Sequence, residues 1–188
     1  QMGGGQFGSN GSHMIDLCRY LSNKEAKEVA SYFNKSSKVN PRGASFKDPG
    51  AYCVIKFENN IRCVIDMLDD HSSPPSVYIL GSKGRIFFDE RDNFYNIYRR
   101  KVSDYKKPIT QRLSFHKAQI KCSNINIFKN TEENIENLIS KRKVLSNLDD
   151  GLKSLEIYTA AYLSNKQNTK FIKLPINKTK HNTGFRFA

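Results

Sequence analysis

The chain has 188 residues, a mass of 21.6 kDa and a formal net charge of +13 at pH 7. Hydrophobic residues make up 38% and aromatic residues 11% of the chain, which is enough to build a core and excludes wholesale disorder. No apolar run approaches the roughly 20 residues that a membrane span requires, and the first residues lack a signal-peptide pattern. We therefore expect no membrane partner.

The positive charge permits anionic partners, but it is spread along the chain together with an excess of Asn and Ile that is typical of AT-rich genomes. The tightest basic clusters are Arg99-Arg100-Lys101, Lys106-Lys107 and Lys141-Arg142-Lys143. We interpret each as a solvated face, with an anion site as the alternative. No nucleic-acid reading element or aromatic–basic stacking motif is present, so we expect no nucleic-acid partner.

Four cysteines are present, Cys18, Cys53, Cys63 and Cys122. None forms a CxxC pair and no histidine lies at zinc-ligand spacing from them, so we expect no metal site. Cys53 and Cys63 fall inside apolar runs. They are interpreted as small core residues of a reduced, cytoplasmic protein.

The first third of the chain predicts helices. A helix is expected from Ser12 to Leu21, where apolar residues recur at helical spacing. The capping box Ser22-Asn23-Lys24-Glu25 predicts a second helix carrying Ala26, Val29, Ala30 and Phe33. A loop begins at Asn40-Pro41-Arg42-Gly43.

The middle of the chain predicts antiparallel strands. Expected strands run from 51 to 57, 61 to 68, 77 to 80, 85 to 89 and 94 to 99. Tight turns are expected at Asn59-Asn60 and at Gly81-Ser82-Lys83-Gly84. Residues 101 to 129 carry only weak strand signals, around Leu113 and Ile125.

Two helices and a short strand close the chain. One helix is expected from Thr131 to Lys143, and a second is capped by Asp149 or Asp150 and presents Leu152, Leu155, Tyr158 and Tyr162 at helical spacing. A strand from 171 to 174 ends at Pro175. This order of elements predicts an α+β fold.

The segment Gly3-Gly4-Gly5-Gln6-Phe7-Gly8 matches the GxGxxG pattern of dinucleotide-binding loops. Such a loop requires a strand before it and a βαβ unit around it. Two residues precede Gly3, and no parallel strand follows the next helix. We therefore interpret the segment as a close-approach loop that leads into a helix.

His13 follows that loop in the first turn of the predicted helix. The free N–H groups and the dipole of a helix start favour the neutral imidazole, which can accept a proton from a substrate hydroxyl. A surface or capping histidine is the alternative. The remaining candidates are interpreted as solvated: His71, His116, His181, Asp66, Asp69 and Asp70.

Three segments together resemble the glucose–fructose oxidoreductase / inositol dehydrogenase (Gfo/Idh/MocA) family. Residues 3–21 resemble its GGG…GxHxxD…RYL motif, and residues 77–86 are similar to its strand-turn-strand I-x-G-x-x-G. Residues 149–164 resemble its last helix, which a strand ending at Leu174-Pro175 follows. The order and spacing agree over nearly the whole chain.

The resemblance implies an NAD(P)-dependent oxidoreductase of two domains, with NAD or NADP held mainly by an N-terminal Rossmann domain. This chain resembles only the C-terminal domain, over residues 1–176, with a polar tail at 177–188 and an incomplete N-terminus. His13 maps onto the family's acid/base histidine. The motif also implies substrate contacts by Ser9, Asn10 and Ser12, and a cofactor contact by Gly5.

The chain departs from the family pattern at Ser9, where many members carry an aspartate that takes part in proton transfer. The family's EKP lysine and nucleotide-binding loop belong to the N-terminal domain and are not in these residues. We therefore expect residues 1–188 alone to give no NAD(P)H turnover. The resemblance also implies an open, mostly antiparallel sheet with helices on one face, and a homo-oligomer, a dimer or tetramer, formed through that sheet.

The resemblance implies a sugar, cyclitol or sugar-nucleotide substrate, whose hydroxyl and ketone forms are interconverted. A bacterial surface-carbohydrate pathway is an attractive setting, because Lys and Arg side chains can bind the phosphates of nucleotide-linked sugars. The alternative function is a non-catalytic binding or oligomerisation module derived from such an enzyme.

Overall fold

The computed structural model describes residues 7–34, 50–68, 75–89, 91, 94–108, 115–122 and 126–177. Their contacts divide the chain into two compact units. Unit 1 comprises Gln1–His71 and Lys143–Ala188, and unit 2 comprises Ser72–Arg142. Within the described residues no helix is long and apolar enough to cross a membrane.

Unit 1 is a four-stranded antiparallel sheet in the order β3-β2-β1-β8, with two long helices. The strands are β1 (Ala26–Phe33), β2 (Ala51–Phe57), β3 (Arg62–Met67) and β8 (Ile172–Lys173). The helices are α1 (Ser12–Ser22), preceded by a π-helical turn Phe7–Gly11, and α3 (Leu148–Lys166). A short 3-10 turn, Glu58–Asn60, joins β2 to β3, which confirms the predicted hairpin.

One face of this sheet forms the core of unit 1. Along β2 the buried positions alternate, with Ala51, Cys53, Ile55 and Phe57 directed to the same side, as a half-buried strand requires. Helices α1 and α3 cover that side. The buried Cys53 confirms its interpretation as a small core residue.

The second predicted helix is wrong, because Ala26–Phe33 is strand β1. Long-range contacts override the local capping box. The strand pairs with β2 along its length but with β8 only at Glu28 and Val29. Beyond the end of β8, the backbone N–H of Ser31 donates to Ser164 Oγ of α3 at 2.9 Å, so the helix completes the hydrogen bonding of the strand edge.

Helix α3 has its N-cap two or three residues earlier than predicted, and of the four residues predicted at helical spacing only Tyr158 is buried. Its N-cap is Asn147, and Asp150 at position N3 completes a capping box, so neither Asp149 nor Asp150 is the cap. Leu152 and Leu155 are 65% and 52% exposed. Apart from Ser154, which contacts Asp16 of α1, the buried residues lie in the second half of the helix: Ile157, Tyr158, Thr159, Ala160, Ala161, Leu163 and Ser164.

Unit 2 is a second antiparallel sheet in the order β4-β5-β6-β7, followed by helix α2. The elements are β4 (Ser76–Gly81), β5 (Gly84–Asp89), β6 (Phe94–Arg100), β7 (Phe115–Lys121) and α2 (Ile127–Ile139). The turn at Gly81–Gly84 is as predicted. Gly84 is required there, since its φ is +156° and a Cβ would lie 2.1 Å from the Tyr98 carbonyl oxygen.

The helix predicted in unit 2 differs from the structure at both ends. Helix α2 begins at Ile127 rather than Thr131 and ends at Ile139 rather than Lys143, because Asn126 caps its start. The weak strand signals at Leu113 and Ile125 lie outside the described residues. The predicted α+β class with open antiparallel sheets is confirmed.

Candidate active site

The candidate site is built on the turn Phe7–Gly11, which leads into helix α1. Phe7 anchors this turn, because its ring is 1% exposed and stacks on Tyr158 of α3 with a centroid distance of 5.5 Å. The edge of Phe33 in β1 meets the same ring at 5.4 Å. Aromatic contacts with a helix and a strand therefore fix the position of the turn.

The glycines of this turn are needed for close packing. A Cβ added at Gly11, the N-cap of α1, would lie 2.6 Å from Phe7 Cδ2. A Cβ at Gly8 would lie 3.0 Å from the Tyr158 hydroxyl. Gly8 is the last residue of the Gly3–Gly8 pattern, and its close contact with Tyr158 agrees with the close-approach interpretation at this position. Gly3, Gly4 and Gly5 lie outside the described residues.

The predicted site residues lie around the start of α1. His13 is the second residue of the helix, its side chain is exposed, and it has no hydrogen bond or ion pair with the described residues. Ser9 and Asn10 are exposed on the turn, and Ser12 Oγ donates to the Ser9 carbonyl at 2.7 Å. Gly5, the predicted cofactor contact, lies outside the described residues.

A network centred on Arg19 fastens α1 to the start of α3. The Arg19 guanidinium is 10% exposed and donates to Asp16 Oδ1 at 3.3 Å, to the Asp150 carbonyl at 3.0 Å and to Asp150 Oδ1 at 3.1 Å. Ser154 Oγ donates to the same Asp16 oxygen at 3.1 Å. A planar guanidinium can serve several acceptors at fixed angles, so this network holds the helix that carries His13.

Asp150 connects this network to the cap of α3. The backbone N–H of Asn147 donates to one carboxylate oxygen at 3.2 Å, and Arg19 binds the other. The Asn147 N–H and, after it, the Arg19 guanidinium hold the pKa of Asp150 below its ordinary value. The sequence did not indicate that Asp150 binds Arg19. The i, i+3 spacing of Asp16 and Arg19 was a signal for the pairing of those two residues.

The other sequence candidates are dispersed. His116 is exposed on β7 of unit 2, and Asp66 is exposed on β3. His71, His181, Asp69 and Asp70 lie outside the described residues.

The cysteines are free thiols. Cys18 of α1 contacts Cys63 of β3, and this hydrogen bond together with burial raises the pKa of the Cys18 thiol. Burial alone raises the pKa of Cys53 to about 12. Both thiols are therefore protonated near neutral pH and pack as apolar groups.

Comparisons with known proteins agree with the fold and with the motif. Residues 1–174 match the model of the family described as "Oxidoreductase family, C-terminal alpha/beta domain". A search of curated proteins found no match.

Solved structures of sugar oxidoreductases share the fold. Levoglucosan dehydrogenase in complex with NADH and levoglucosan is 17% identical with a TM-score of 0.69, over 93% of this chain and 51% of that chain. The aldose-aldose oxidoreductase from Caulobacter crescentus is 18% identical with a TM-score of 0.68, over 91% and 48%. The WlbA dehydrogenase from Bordetella pertussis, in complex with NADH and UDP-GlcNAcA, is 18% identical with a TM-score of 0.60, over 93% and 46%.

The chain thus spans about half the length of the solved structures that it matches. Its match to the family covers almost all of the described residues, from the glycine-rich turn to the last strand. The chain belongs to the Gfo/Idh/MocA oxidoreductase family and corresponds to its C-terminal α/β domain.

Proposed function

We propose that this chain is the substrate-binding and acid/base part of a cytoplasmic NAD(P)-dependent oxidoreductase that interconverts a hydroxyl and a ketone on a sugar or sugar nucleotide. The observation that carries the proposal is the exposed His13 at the start of α1, on a turn that the buried Phe7 ring fixes. A rigid support of this kind is what a proton-transferring side chain needs. Membership of the family is consistent with this role.

The residues around His13 fit an approaching nicotinamide and substrate. The exposed positions of the turn, Ser9 and Asn10, carry short polar side chains, so planar and hydroxylated groups can come close to the backbone. When bound, the nicotinamide accepts the hydride from the carbinol carbon. We assign none of the described residues to binding of the cofactor's pyrophosphate.

His13 would accept the hydroxyl proton while the C–H bond of the same carbon breaks. The carbinol then becomes a ketone, and the reverse reaction returns the proton from the imidazolium to the oxygen. Ser9 and Asn10 can orient substrate hydroxyls, because a hydroxyl or carboxamide donates and accepts hydrogen bonds. Ser9 cannot replace the aspartate of other members as an acid or base near neutral pH, so in this proposal His13 alone exchanges the proton.

The test of this proposal compares two histidines in the full-length protein. His13→Ala is expected to lower kcat by about 100-fold or more on whichever sugar or sugar nucleotide is turned over, with unchanged affinity for the nicotinamide cofactor. His116→Ala is the matched control, because His116 is an exposed histidine of unit 2. Full activity of His13→Ala would refute the role of His13. Residues 1–188 alone are expected to give no turnover.

The proposed substrate class is a nucleotide-linked sugar of surface-carbohydrate synthesis. The net charge of +13 supports it, because the diphosphate of such a substrate is attracted to a basic protein. Full-length protein should then bind a UDP-sugar more tightly than the corresponding free sugar in isothermal titration. Equal or reversed preference would exclude a nucleotide-linked substrate while leaving a free sugar as the substrate.

A homo-oligomer formed through the sheet is a second proposal, and it also underlies the non-catalytic alternative. The rows Val77–Phe88–Tyr95–Ile120 and Ile79–Ile86–Ile97–Ala118 place eight apolar side chains on one face of the unit 2 sheet. Ile79 is 37% and Ile120 52% exposed, and no described helix makes an extensive contact with this sheet. Apolar faces of this extent favour association.

Light scattering can test this association with a pair of neighbouring substitutions. Ile79→Glu puts a charge on the apolar face, whereas Leu80→Glu puts it on the opposite face of the same strand. Ile79→Glu should shift the full-length protein toward monomer, and Leu80→Glu should not. If both variants keep the wild-type mass, this face is not the interface. If Ile79→Glu dissociates the protein and His13→Ala retains full activity, the oligomerisation module becomes the better description.

A further inference from the structure

A basic depression lies at one end of the unit 1 sheet, beside the turn Glu58–Asn60. Its volume is about 700 Å³, which is within the range of small-molecule sites. Its charged lining consists of four basic residues and one acidic residue, Lys27, Lys56, Arg62, Lys173 and Glu28. These residues come from three separate parts of the sequence, around positions 27–28, 56–62 and 173, and the folded sheet brings the three parts together.

The strand register places four of these charges in one row across the sheet. Lys173 of β8 lies opposite Glu28 of β1. Glu28 lies opposite Lys56 of β2, which in turn lies opposite Arg62 of β3. Like charges directly opposite one another destabilise a sheet. A bound anion would relieve the repulsion between Lys56 and Arg62.

The carboxylates nearby are insufficient to neutralise this row. Glu28 Oε2 is 3.0 Å from Lys56 Nζ, and Glu58 Oε1 is 2.9 Å from Lys27 Nζ. Arg62 and Lys173 form no ion pair with any described residue. Among the described residues, the charges of Arg62 and Lys173 therefore have no ion-pair partner.

The positive charge is confined to this end of the sheet face. The next row on the same face is Ala30–Val54–Val64, and the row after it is Tyr32–Tyr52–Asp66. Neither row contains a cation. The basic row is therefore a local feature and does not simply repeat the even spread of Lys and Arg along the sequence.

One cation of the depression, Lys56, lies against an aromatic ring. Lys56 Nζ lies 3.7 Å from the centroid of the Phe171 ring, so the lysine is fixed between that ring and Glu28. Phe57 is 3% exposed, and Ile61 and Leu174 pack against the core beside it. An anion in this place would meet charges that are partly preorganised and less screened than on a flat surface.

We propose that this depression is a binding site for a diphosphate group, either free as pyrophosphate or carried by a nucleoside diphosphate. The site is separate from the surroundings of His13. Helix α1 has His13 at its start, whereas Lys27 follows the end of the helix, and a helix of this length spans about 16 Å. The proposal stands on the cation row and does not depend on the role of His13.

The experiment titrates the full-length protein with pyrophosphate and, separately, with UDP at constant ionic strength in a calorimeter. The test variant Arg62→Glu/Lys173→Glu reverses the two uncompensated charges. The control variant Lys141→Glu/Lys143→Glu changes the net charge equally at exposed positions outside the depression. Circular dichroism checks that both variants fold.

The test variant should bind pyrophosphate at least about tenfold more weakly, because two charge-assisted contacts are lost, and the control should change by less than about twofold. UDP binding that is stronger than pyrophosphate binding and is weakened by the same variant would identify a nucleotide as the carrier; equal affinities would identify the diphosphate alone. Absence of pyrophosphate binding, or equal weakening in both variants, would overturn the proposal.

Discussion

The two sheets of this protein have the same strand number and the same antiparallel pairing, yet only one has a core. In unit 1, α1 and α3 cover one face of the sheet. Every buried hydrophobic residue of the described chain lies in unit 1. In unit 2 the only buried residues that the structure describes are Arg100 and Asp104. The difference shows that helix cover, and not strand pairing alone, gives a sheet of this protein its buried apolar core.

Unit 2 is held by polar contacts as well as by strand pairing. Arg100 is 6% exposed, and its guanidinium donates to the backbone carbonyls of Ser82, Asp104 and Lys107 at 2.6 to 3.1 Å. The arginine fastens the segment after β6 to the β4–β5 turn. The cluster Arg99-Arg100-Lys101, interpreted from the sequence as a solvated face, thus contains one structural arginine.

Truncation of a core isoleucine should give the largest effect and tests the contrast between the units directly. Ile55 of β2 is fully buried, so Ile55→Ala should lower the free energy of unfolding by about 3 kcal/mol. Leu80→Ala in β4 is the control, since Leu80 is 72% exposed, and it should cost less than about 0.5 kcal/mol. Urea denaturation measures both. Equal costs would mean that unit 2 has cover of its own.

Substitution of two glycines should have effects of opposite sign. Gly11→Ala forces a Cβ to within 2.6 Å of a Phe7 ring atom, and that ring is already enclosed by Phe33 and Tyr158. We expect a loss of about 1–3 kcal/mol from overpacking. Gly151→Ala should instead stabilise the protein by about 0.5–1 kcal/mol, because it lies in α3 with nothing within 4 Å of the added carbon.

Thermal unfolding of the two glycine variants provides the measurement. A neutral Gly11→Ala would show that Phe7 can move and that the turn before His13 is not fixed by the core. A destabilising Gly151→Ala would show that the start of α3 is more closely packed than its surroundings indicate.

The Asp150 network should make the stability of unit 1 dependent on pH. The pKa of Asp150 is lower in the folded protein, so its contribution is complete above the unfolded pKa and is lost as the pH falls through the folded pKa. Asp150→Asn should therefore lower the free energy of unfolding most near pH 7. The difference in this free energy between variant and wild type should become smaller in strong acid. Arg19→Gln should remove the guanidinium part of the effect and leave the part due to Asn147.

The measurement is the free energy of unfolding of wild type and variants between about pH 2 and pH 7. A difference between wild type and Asp150→Asn that stays constant over this range would contradict the account. The network lies in unit 1 alone, so the strands of unit 2 should show no corresponding loss of hydrogen-exchange protection.

Local signals predicted most elements but not the ones that depend on distant partners. Hairpins with turn residues between them, such as β2–β3 and β4–β5, were found because register and turn lie within a few residues. Strand β1 was missed because its edge is completed by Ser164 and Asn165, more than a hundred residues away. The motif located His13, but the basic row that includes Lys56 and Arg62 has no sequence signature.

Helix α3 contains the same contrast on a smaller scale, and it leads to the smallest expected effect. Seven of its eight buried residues lie from Ile157 onward, so of the leucines and tyrosines at helical spacing only Tyr158 is buried. Leu152 is 65% exposed. Leu152→Gln, which retains helix propensity, should change the free energy of unfolding of this chain by less than about 0.5 kcal/mol.

The matched truncation in the covered half is Ile157→Ala, which should cost about 3 kcal/mol because Ile157 is 2% exposed. A large loss for Leu152→Gln in urea denaturation would mean that another part of the protein covers the first half of α3. Equal losses of unfolding free energy in the two variants would show that Leu152 and Ile157 are equally covered in the protein. Because Ala has a higher helix propensity than Ile, the loss expected for Ile157→Ala measures the lost burial of the side chain and not a weakened helix.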